Sequence, residues 1–311
     1  MKKIVLATRR HWTWKVFLVL VGLIIPAAFA ILPYALHQQN ASFGWDILVL
    51  DRLINSILPV TVLGVVGLAL ANRIGLGLPF VESWARREPT SYRFRNIVAI
   101  AWIAAVGLNL LSLFLHTVVF DPPLHAMLEK LGIAISEAAQ TPPLYGFLAA
   151  LSAGITEETM FRLFGLSLLA WLGGLLFHDS VGRPNPSVFW TANILFALAF
   201  GAAHLPAQAT IGLPINFLVV ISTLVLNGIG GLIFGWLFWT FGLESAMLAH
   251  ILADILRHSL IPFINLQDGE TARYRAITGV VVLVLLALIW AWKTLIAQDR
   301  RHAISSERMM G

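Results

Sequence analysis

Three groups of ionisable residues fall inside long apolar stretches of the chain. The first is Glu157-Glu158-Thr159-Met160-Phe161-Arg162, the second ends at His204, and the third joins His250 to Asp254. An ionised side chain at the centre of a membrane helix costs about 2.5–3.5 kcal/mol on insertion scales. Such residues therefore indicate either paired structural charges or chemistry that takes place inside a membrane.

The first group divides into a pair and a single carboxylate. Glu158 and Arg162 are four residues apart, in the order that favours an ion pair on a helix. Neighbouring residues on a helix point about 100° apart, so Glu157 faces elsewhere and has no cation within reach on its own helix. We expect Glu157 to act as a general base toward water, with the Glu158–Arg162 pair as its brace. The structural alternative is that both glutamates only pair with Arg162 and polar neighbours.

The two histidine groups suit the same chemistry. His204 follows a glycine and two alanines, which allow close helix packing, and Pro206 should end or kink its helix. A lone histidine of this kind is more often a hydrogen-bonded core residue. His250 and Asp254 share one helix face, so Asp254 could fix the tautomer of His250 by accepting its ring N–H. The same spacing could also present two metal ligands or a simple stabilising pair.

The elements that must hold these residues are membrane helices. The chain of 311 residues is 58% hydrophobic and 12% charged, about half the charged fraction of a soluble domain. This composition excludes an ordinary soluble enzyme and a disordered chain. Apolar runs predict an all-α polytopic membrane bundle of about eight transmembrane helices, near 16–36, 53–71, 97–120, 143–177, 187–205, 214–241, 243–262 and 276–297.

The net charge of +5 reflects membrane topology rather than a nucleic-acid partner, because the basic residues flank apolar runs and form no stripe. They cluster at Lys2, Lys3, Arg9, Arg10 and Lys15, at Arg73, Arg86, Arg87, Arg93 and Arg95, and at Arg300, Arg301 and Arg308. The positive-inside rule then predicts an integral protein of the cytoplasmic (inner) membrane with both termini in the cytoplasm. Arg273 and Arg275 argue weakly against this topology. The absence of cysteine excludes disulfides, thiolate metal sites and a cysteine nucleophile.

Taken together, the three groups resemble the motifs of the CPBP intramembrane proteases (CAAX proteases and bacteriocin-processing enzymes, also called the Abi family). The matching motifs are Glu157-Glu158-x-x-x-Arg162, Phe200-x-x-x-His204 and His250-x-x-x-Asp254, and the approach to the last motif, 242–249, is also similar. Each motif alone is weak, but the three occur in order and inside apolar runs. The resemblance covers about 143–262. It divides the chain into N-terminal helices with basic cytoplasmic segments (1–142), a catalytic core (143–262) and a last helix with a cytoplasmic tail (263–311).

The resemblance implies an intramembrane endopeptidase that acts on membrane-associated, prenylated or other peptide substrates. The active-site residues that it implies are Glu157, Glu158, Arg162, His204, His250 and Asp254. In the mechanism proposed for the family, Glu157 and His204 would polarise the attacking water. His250 and Asp254 would lie on the oxyanion side, and the remaining two residues would support the glutamate helix.

Asp254 departs from a simple reading of that mechanism. An ionised aspartate cannot donate to an oxyanion. Either Asp254 is protonated or it orients His250 so that the histidine donates, and we favour orientation. No cofactor is certain, although zinc is conceivable because the family is often labelled metalloprotease and Glu157, His204, His250 and Asp254 have suitable chemistry.

The topology also creates a geometric tension. His204 ends one outward-running helix, whereas His250 lies early in another, so their depths should differ. If the three groups prove far apart, the catalytic hypothesis fails.

Two other classes of function compete with the peptidase. Intramembrane Glu and His residues can form proton relays in transporters, although no repeated discontinuous helices are visible. A non-catalytic binding or immunity protein on the same scaffold is the second alternative. The expected partners are a peptide or membrane-protein substrate and the lipid bilayer, with no nucleic acid.

Overall fold

The described part of the protein is built from helices. The computed structural model describes residues 14–39, 44–88, 94–132, 141–180, 182–210, 212–265, 267 and 269–310, and no strand occurs within these ranges. The α-helices are α1 (Trp14–Ala30), α2 (Leu32–Gln39), α3 (Trp45–Arg52), α4 (Leu58–Arg73), α5 (Pro79–Arg86), α6 (Phe94–Phe114), α7 (Asp121–Leu131), α8 (Pro143–Glu158), α9 (Ser167–Gly174), α10 (Pro186–Ala203), α11 (Leu205–Thr210), α12 (Phe217–Phe241), α13 (Leu243–Ile255), α14 (Ile261–Asn265) and α15 (Glu270–Met310). Four π-helical segments join consecutive helices, at Leu53–Ile57, Leu115–Phe120, Thr159–Leu166 and Leu256–Leu260.

Long apolar helices make the chain an integral membrane protein. Within the described residues, six helical stretches are long and apolar enough to cross a membrane: Trp14–His37, Asp46–Arg73, Phe94–Leu131, Pro186–Thr210, Phe217–Phe241 and Ala272–Leu295. They coincide with six of the eight predicted spans. The other two predicted spans are also helical, as 143–174 and 243–265, but they contain the charged groups described above.

Some of the basic residues on which the predicted topology depends are not among the described residues. Lys2, Lys3, Arg9, Arg10 and Arg93 lie outside the described residues, as do the side chains of Arg300, Arg301 and Arg308. The orientation of the termini therefore stays a prediction.

The outer surface of the bundle is apolar. In α15, the side chains of Leu283, Leu286 and Trp292 are each more than half exposed, and only 6% of an apolar 18-residue stretch within Ala272–Leu295 is buried. A soluble monomer rarely exposes an apolar surface of this extent. Contact with lipid accounts for it, because lipid tails are as apolar as these side chains.

Two glycines bring α8 against α13 and the segment that follows it. A Cβ atom added at Gly154 would lie 2.4 Å from Ile251 Cγ1, and one added at Gly146 would lie 1.7 Å from the carbonyl oxygen of His258. Neither position has room for a larger residue, so the two helices meet almost backbone to backbone. This contact brings the C-terminal end of α8, with its two glutamates, beside α13, with its histidine and aspartate.

Polar side chains bind backbone groups between other helices of the core. The Asn109 amide on α6 donates to the carbonyl of Ala253 at 3.1 Å, and the Asn193 amide on α10 donates to the carbonyl of Leu232 on α12 at 3.0 Å. Such hydrogen bonds stabilise helix contacts in membranes, where water is not available as a partner. They join α6 to α13 and α10 to α12.

Replacing Gly146 by alanine should destabilise the bundle. The added methyl group would push against a backbone oxygen that cannot rotate away, and overpacking of this kind costs typically about 1–3 kcal/mol. We expect the apparent unfolding midpoint in detergent to fall by roughly 2–10 °C. The matched control is Gly107→Ala on α6, where an added Cβ has nothing within 4 Å. If both substitutions give the same midpoint, the close contact at Gly146 does not stabilise the protein.

Candidate active site

The three predicted groups lie at helix ends or beside irregular helical turns. Glu157 and Glu158 end α8, just before the π-helical segment Thr159–Leu166. Asp254 lies one residue before the end of α13, where a second π-helical segment begins. His204 occupies the turn between α10 and α11, so the break predicted from Pro206 is confirmed. Widened turns of this kind occur frequently at functional sites, because they redirect side chains from the regular helical pattern.

A fully buried ion pair lies at the centre of the site. Arg162 Nη1 lies 2.9 Å from Glu158 Oε1, with the two side chains 2% and 0% exposed. The contact is an ion pair rather than an aligned hydrogen bond, since Nη1 has no hydrogen-bond partner among the described residues. Arg162 Nη2 donates to the carbonyl of Gly231 on α12 at 3.3 Å. The ion pair predicted from the spacing is therefore present.

Aromatic rings surround the guanidinium group of Arg162. Its Cζ atom lies 4.3 Å from the centroid of Phe200, 5.4 Å from that of Phe234 and 5.9 Å from that of Phe161. The faces of aromatic rings attract cations, most strongly where water is excluded. The rings therefore offset part of the free-energy cost of burying the guanidinium group, which one carboxylate does not offset completely.

His250 faces carboxylates at both ring nitrogens. Its Nδ1 donates to Glu158 Oε1 at 2.8 Å, the same oxygen that pairs with Arg162. Its Nε2 lies 3.5 Å from Asp254 Oδ2 and 4.0 Å from Glu157 Oε2. The ring also stacks on Phe234, with centroids 4.7 Å apart and planes at 16°. Glu158 thus binds His250 directly, whereas the sequence analysis assigned it only to Arg162 and the support of Glu157.

His204 is brought close to the other two groups. Its Nδ1 donates to the carbonyl of Phe200 at 2.8 Å, so the lone pair of Nε2 is free when the ring is neutral. The Phe200 ring lies 4.9 Å from the ring of His204 and 5.8 Å from that of His250. His204 also interacts electrostatically with Glu157. The expected difference in depth therefore does not separate the two histidines. Both contact the ring of Phe200, which lies in the last turn of α10.

Glu157 has the properties of a free proton acceptor. Its Oε2 atom is buried and has no hydrogen-bond partner among the described residues, while its side chain as a whole is 28% exposed. A water molecule at about 2.8 Å from each atom can bridge two groups 4.0 Å apart. The 4.0 Å separation of Glu157 Oε2 and His250 Nε2 is therefore one that a single bridging water molecule spans.

The described residues do not offer a metal site. No group of three or more His, Cys, Asp or Glu side chains in this part of the chain is placed to hold a metal ion. Among these residues, the zinc hypothesis therefore lacks a set of three protein ligands.

Two residues of α12 that enclose the site were not among the predicted site residues. Phe234 stacks on His250 and lies near Arg162, and Gly231 supplies a carbonyl to the same arginine. The density of glycine on this helix was a usable signal, since small residues allow helices to approach closely. A Cβ atom at Gly231 would lie 2.8 Å from the Cα atom of Ala197 on α10.

Comparison with known protein families finds a match in the part of the chain that carries this site. Residues 139–256 match the model of a family described as type II CAAX prenyl endopeptidase, Rce1-like. The match confirms the resemblance to the CPBP intramembrane proteases. This CPBP segment, residues 139–256, contains all three motifs and ends two residues after Asp254. No curated protein and no solved structure matches the chain.

The buried ion pair of the CPBP segment should show strong coupling. Removing one partner of a buried pair costs about 3–5 kcal/mol, because the other charge is left without compensation. We expect Arg162→Met to lower the apparent unfolding midpoint sharply, and the double substitution Glu158→Gln with Arg162→Met to restore part of the loss. Glutamine at position 158 keeps an oxygen that can accept from His250. A double variant as unstable as the sum of the two single variants would contradict this coupling.

Proposed function

We propose that the protein is an intramembrane endopeptidase in which Glu157 and His204 activate water against a peptide bond and His250 stabilises the oxyanion. The observation that supports this most directly is the free Oε2 atom of Glu157, 4.0 Å from His250 Nε2. A carboxylate oxygen without a partner, close to a ring N–H, is the arrangement that general-base attack by water requires. The match of 139–256 to a peptidase family points to the same reaction.

The first step is the activation of water. Glu157 Oε2 accepts a proton from a water molecule, and the Nε2 lone pair of His204 is a second acceptor. The water oxygen then bonds to the carbonyl carbon of the substrate, and the pair of electrons in the C=O double bond moves to the oxygen. When that pair re-forms the C=O bond, the C–N bond breaks and the proton held by Glu157 passes to the nitrogen of the leaving peptide.

The second step needs a donor for the oxyanion, and His250 is suited to this role. Its Nδ1–H is held by Glu158, so a proton on Nε2 gives the ring a positive charge, and this charge faces the carboxylates of Glu158 and Asp254. Nε2 makes only a 3.5 Å contact with Asp254, so its N–H can also donate to a substrate oxygen that comes closer. Fixed donors of this kind stabilise the charge that develops in the transition state.

The remaining active-site residues act through these groups. Glu158 holds the ring of His250, and Arg162 balances the charge of Glu158 in the bundle. Asp254 faces the nitrogen that must donate, so we assign it the orienting role rather than that of an oxyanion donor. The pocket for the substrate lies between α8, α10 and α13, which supply the reacting side chains.

The substrate class follows from the family description and the membrane setting. A peptide attached to the membrane by a prenyl group would reach the site from the bilayer, and the family is described by prenyl endopeptidase activity. We place the protein in the cytoplasmic membrane with both termini in the cytoplasm, because the positive-inside rule assigns loops rich in Lys and Arg to the cytoplasmic side. The proposed substrates also include peptides that are associated with the membrane in other ways.

Replacing Glu157 should abolish proteolysis without unfolding the protein. In cells with matched expression of the wild type or Glu157→Gln, we expect new N- or C-termini of membrane proteins only with the wild type. Loss of a general base lowers the rate by about 10²–10⁴-fold, and glutamine keeps the shape of the side chain. If the variant yields the same termini, or preserves the biological effect of the protein without any cleavage, a binding role replaces the catalytic one.

Replacing Asp254 should separate its two candidate roles. An amide cannot offset the charge of His250, so in the orienting role Asp254→Asn lowers kcat by about 10–100-fold, as loss of an orienting partner often does. If Asp254 instead donates to the oxyanion, the amide N–H of asparagine supplies that donor and activity is kept or raised. Turnover of an internally quenched farnesylated peptide ending in a CAAX sequence distinguishes the two outcomes.

A further inference from the structure

The short helix α5 is held at both ends by charged side chains of other helices. At its N-terminus, the backbone N–H groups of Phe80 and Val81 both donate to Glu244 Oε1, each at 3.0 Å. At its C-terminus, Lys15 Nζ donates to the carbonyl of Ala85 at 3.3 Å. An anion at the N-terminus and a cation at the C-terminus both match the helix dipole. Glu244 begins α13 and Lys15 begins α1.

The inner face of α5 packs closely against the bundle. Pro79, Glu82 and Ala85 are buried, whereas Trp84 is 64% exposed. Just before the helix, the carbonyl of Gly77 accepts the N–H of Leu243 at 3.0 Å.

The joint between α12 and α13 fits directly against this helix. Gly242 has a φ of +96°, and a Cβ atom there would lie 2.2 Å from Pro79 Cδ. The side chain of Glu244 therefore docks α5 onto the start of α13 in a defined register.

Both anchors of α5 lead to the candidate active site. His250 lies less than two turns after Glu244 on the same helix, or about 9 Å along its axis. Lys15 belongs to α1, which packs along α8, the helix that ends in Glu157 and Glu158. Thus α5 links the start of α13, the helix that carries the oxyanion donor, to α1, which packs along the helix that carries the general base.

We propose that Glu244 is a positioning residue, which sets the placement of His250 by anchoring α13 to α5. This role rests on the proposed peptidase function. A shift of about 1 Å in a catalytic group can cost about 100-fold in rate, so a small movement of α13 is enough to matter. Glu244 touches neither substrate nor reacting atoms, and its effect passes through the backbone of α13.

The two variants Glu244→Gln and Glu244→Ala separate this role from a need for the charge. Glutamine keeps an oxygen that can accept both N–H groups of α5, and it also removes a like charge that interacts with Glu82. Alanine removes the acceptor and leaves two backbone donors without a partner. Lys15→Met is the matched variant at the other end of α5, and it keeps the aliphatic stem of the side chain.

The test uses the full chain in liposomes and two readouts. The first is the kcat and KM for the internally quenched farnesylated CAAX peptide, with Glu157→Gln as the inactive reference. The second is the rate of maleimide labelling at Ala85→Cys, a buried position on α5, which is specific because the chain has no native cysteine. Trp84→Cys, on the exposed face, serves as the control for reagent access.

We expect Glu244→Ala to lower kcat by about 10–100-fold with a KM within about threefold of the wild type, and to speed labelling of Ala85→Cys. Glu244→Gln should keep both the wild-type kcat and the slow labelling, and Lys15→Met should speed labelling in the same direction as Glu244→Ala. Rescue by glutamine is the result that general destabilisation would not produce.

The outcomes that would overturn the proposal are distinct from failure of the peptidase function. The positioning role is overturned if Glu244→Ala keeps the wild-type kcat, or if Glu244→Gln and Glu244→Ala lose activity equally. If the wild type and Glu157→Gln cleave the peptide equally, or neither cleaves it, the peptidase function is overturned on this substrate and the positioning role is lost with it. In that case the labelling of Ala85→Cys still shows whether Glu244 docks α5.

Discussion

A guanidinium group inside an apolar helical bundle requires an anion and polarisable surroundings, and Arg162 imposes this requirement on the whole site. It carries a charge at every physiological pH, and it is almost fully buried. Glu158 supplies the anion, Gly231 a carbonyl, and three phenylalanine rings the remaining faces. These partners come from α8, α10, α12 and the turn after α8, so satisfying one cation brings four parts of the chain together.

The same carboxylate that balances Arg162 also holds His250, so stability and chemistry depend on one oxygen atom. Glu158 Oε1 pairs with the arginine at 2.9 Å and accepts from the histidine at 2.8 Å. Hydrogen bonds that involve charged groups are shorter and stronger than those between neutral groups. The ring of His250 is therefore oriented by a contact that the fold needs in any case. Glu157, the neighbouring residue, is left with a free oxygen on the side that faces the ring.

Close backbone packing decides where this chemistry can occur. Gly146 and Gly154 let α8 pack closely against the α13 region, and Glu244 ties α5 to the start of α13. In a membrane, apolar side chains gain little by leaving lipid, so helix contacts depend on such close packing and on hydrogen bonds. The placement of the candidate catalytic groups thus follows from a few glycines and polar contacts rather than from a large apolar core.

The helical membrane fold and the approximate ends of its spans can be predicted from the amino-acid sequence, because they depend on local hydropathy. The ion pair of Glu158 with Arg162 can be predicted too, because it depends on the period of the helix. The sequence also identified the break at His204, since Pro206 limits the backbone nearby. Three contacts are visible only in the folded protein. Glu158 rather than Glu157 binds His250, and Phe234 stacks on that ring. Glu244 binds a helix more than 160 residues earlier in the chain. Apolar helices can rotate and tilt against one another at little cost, so the faces that meet are selected by interhelical contacts, which spacing along one helix does not specify.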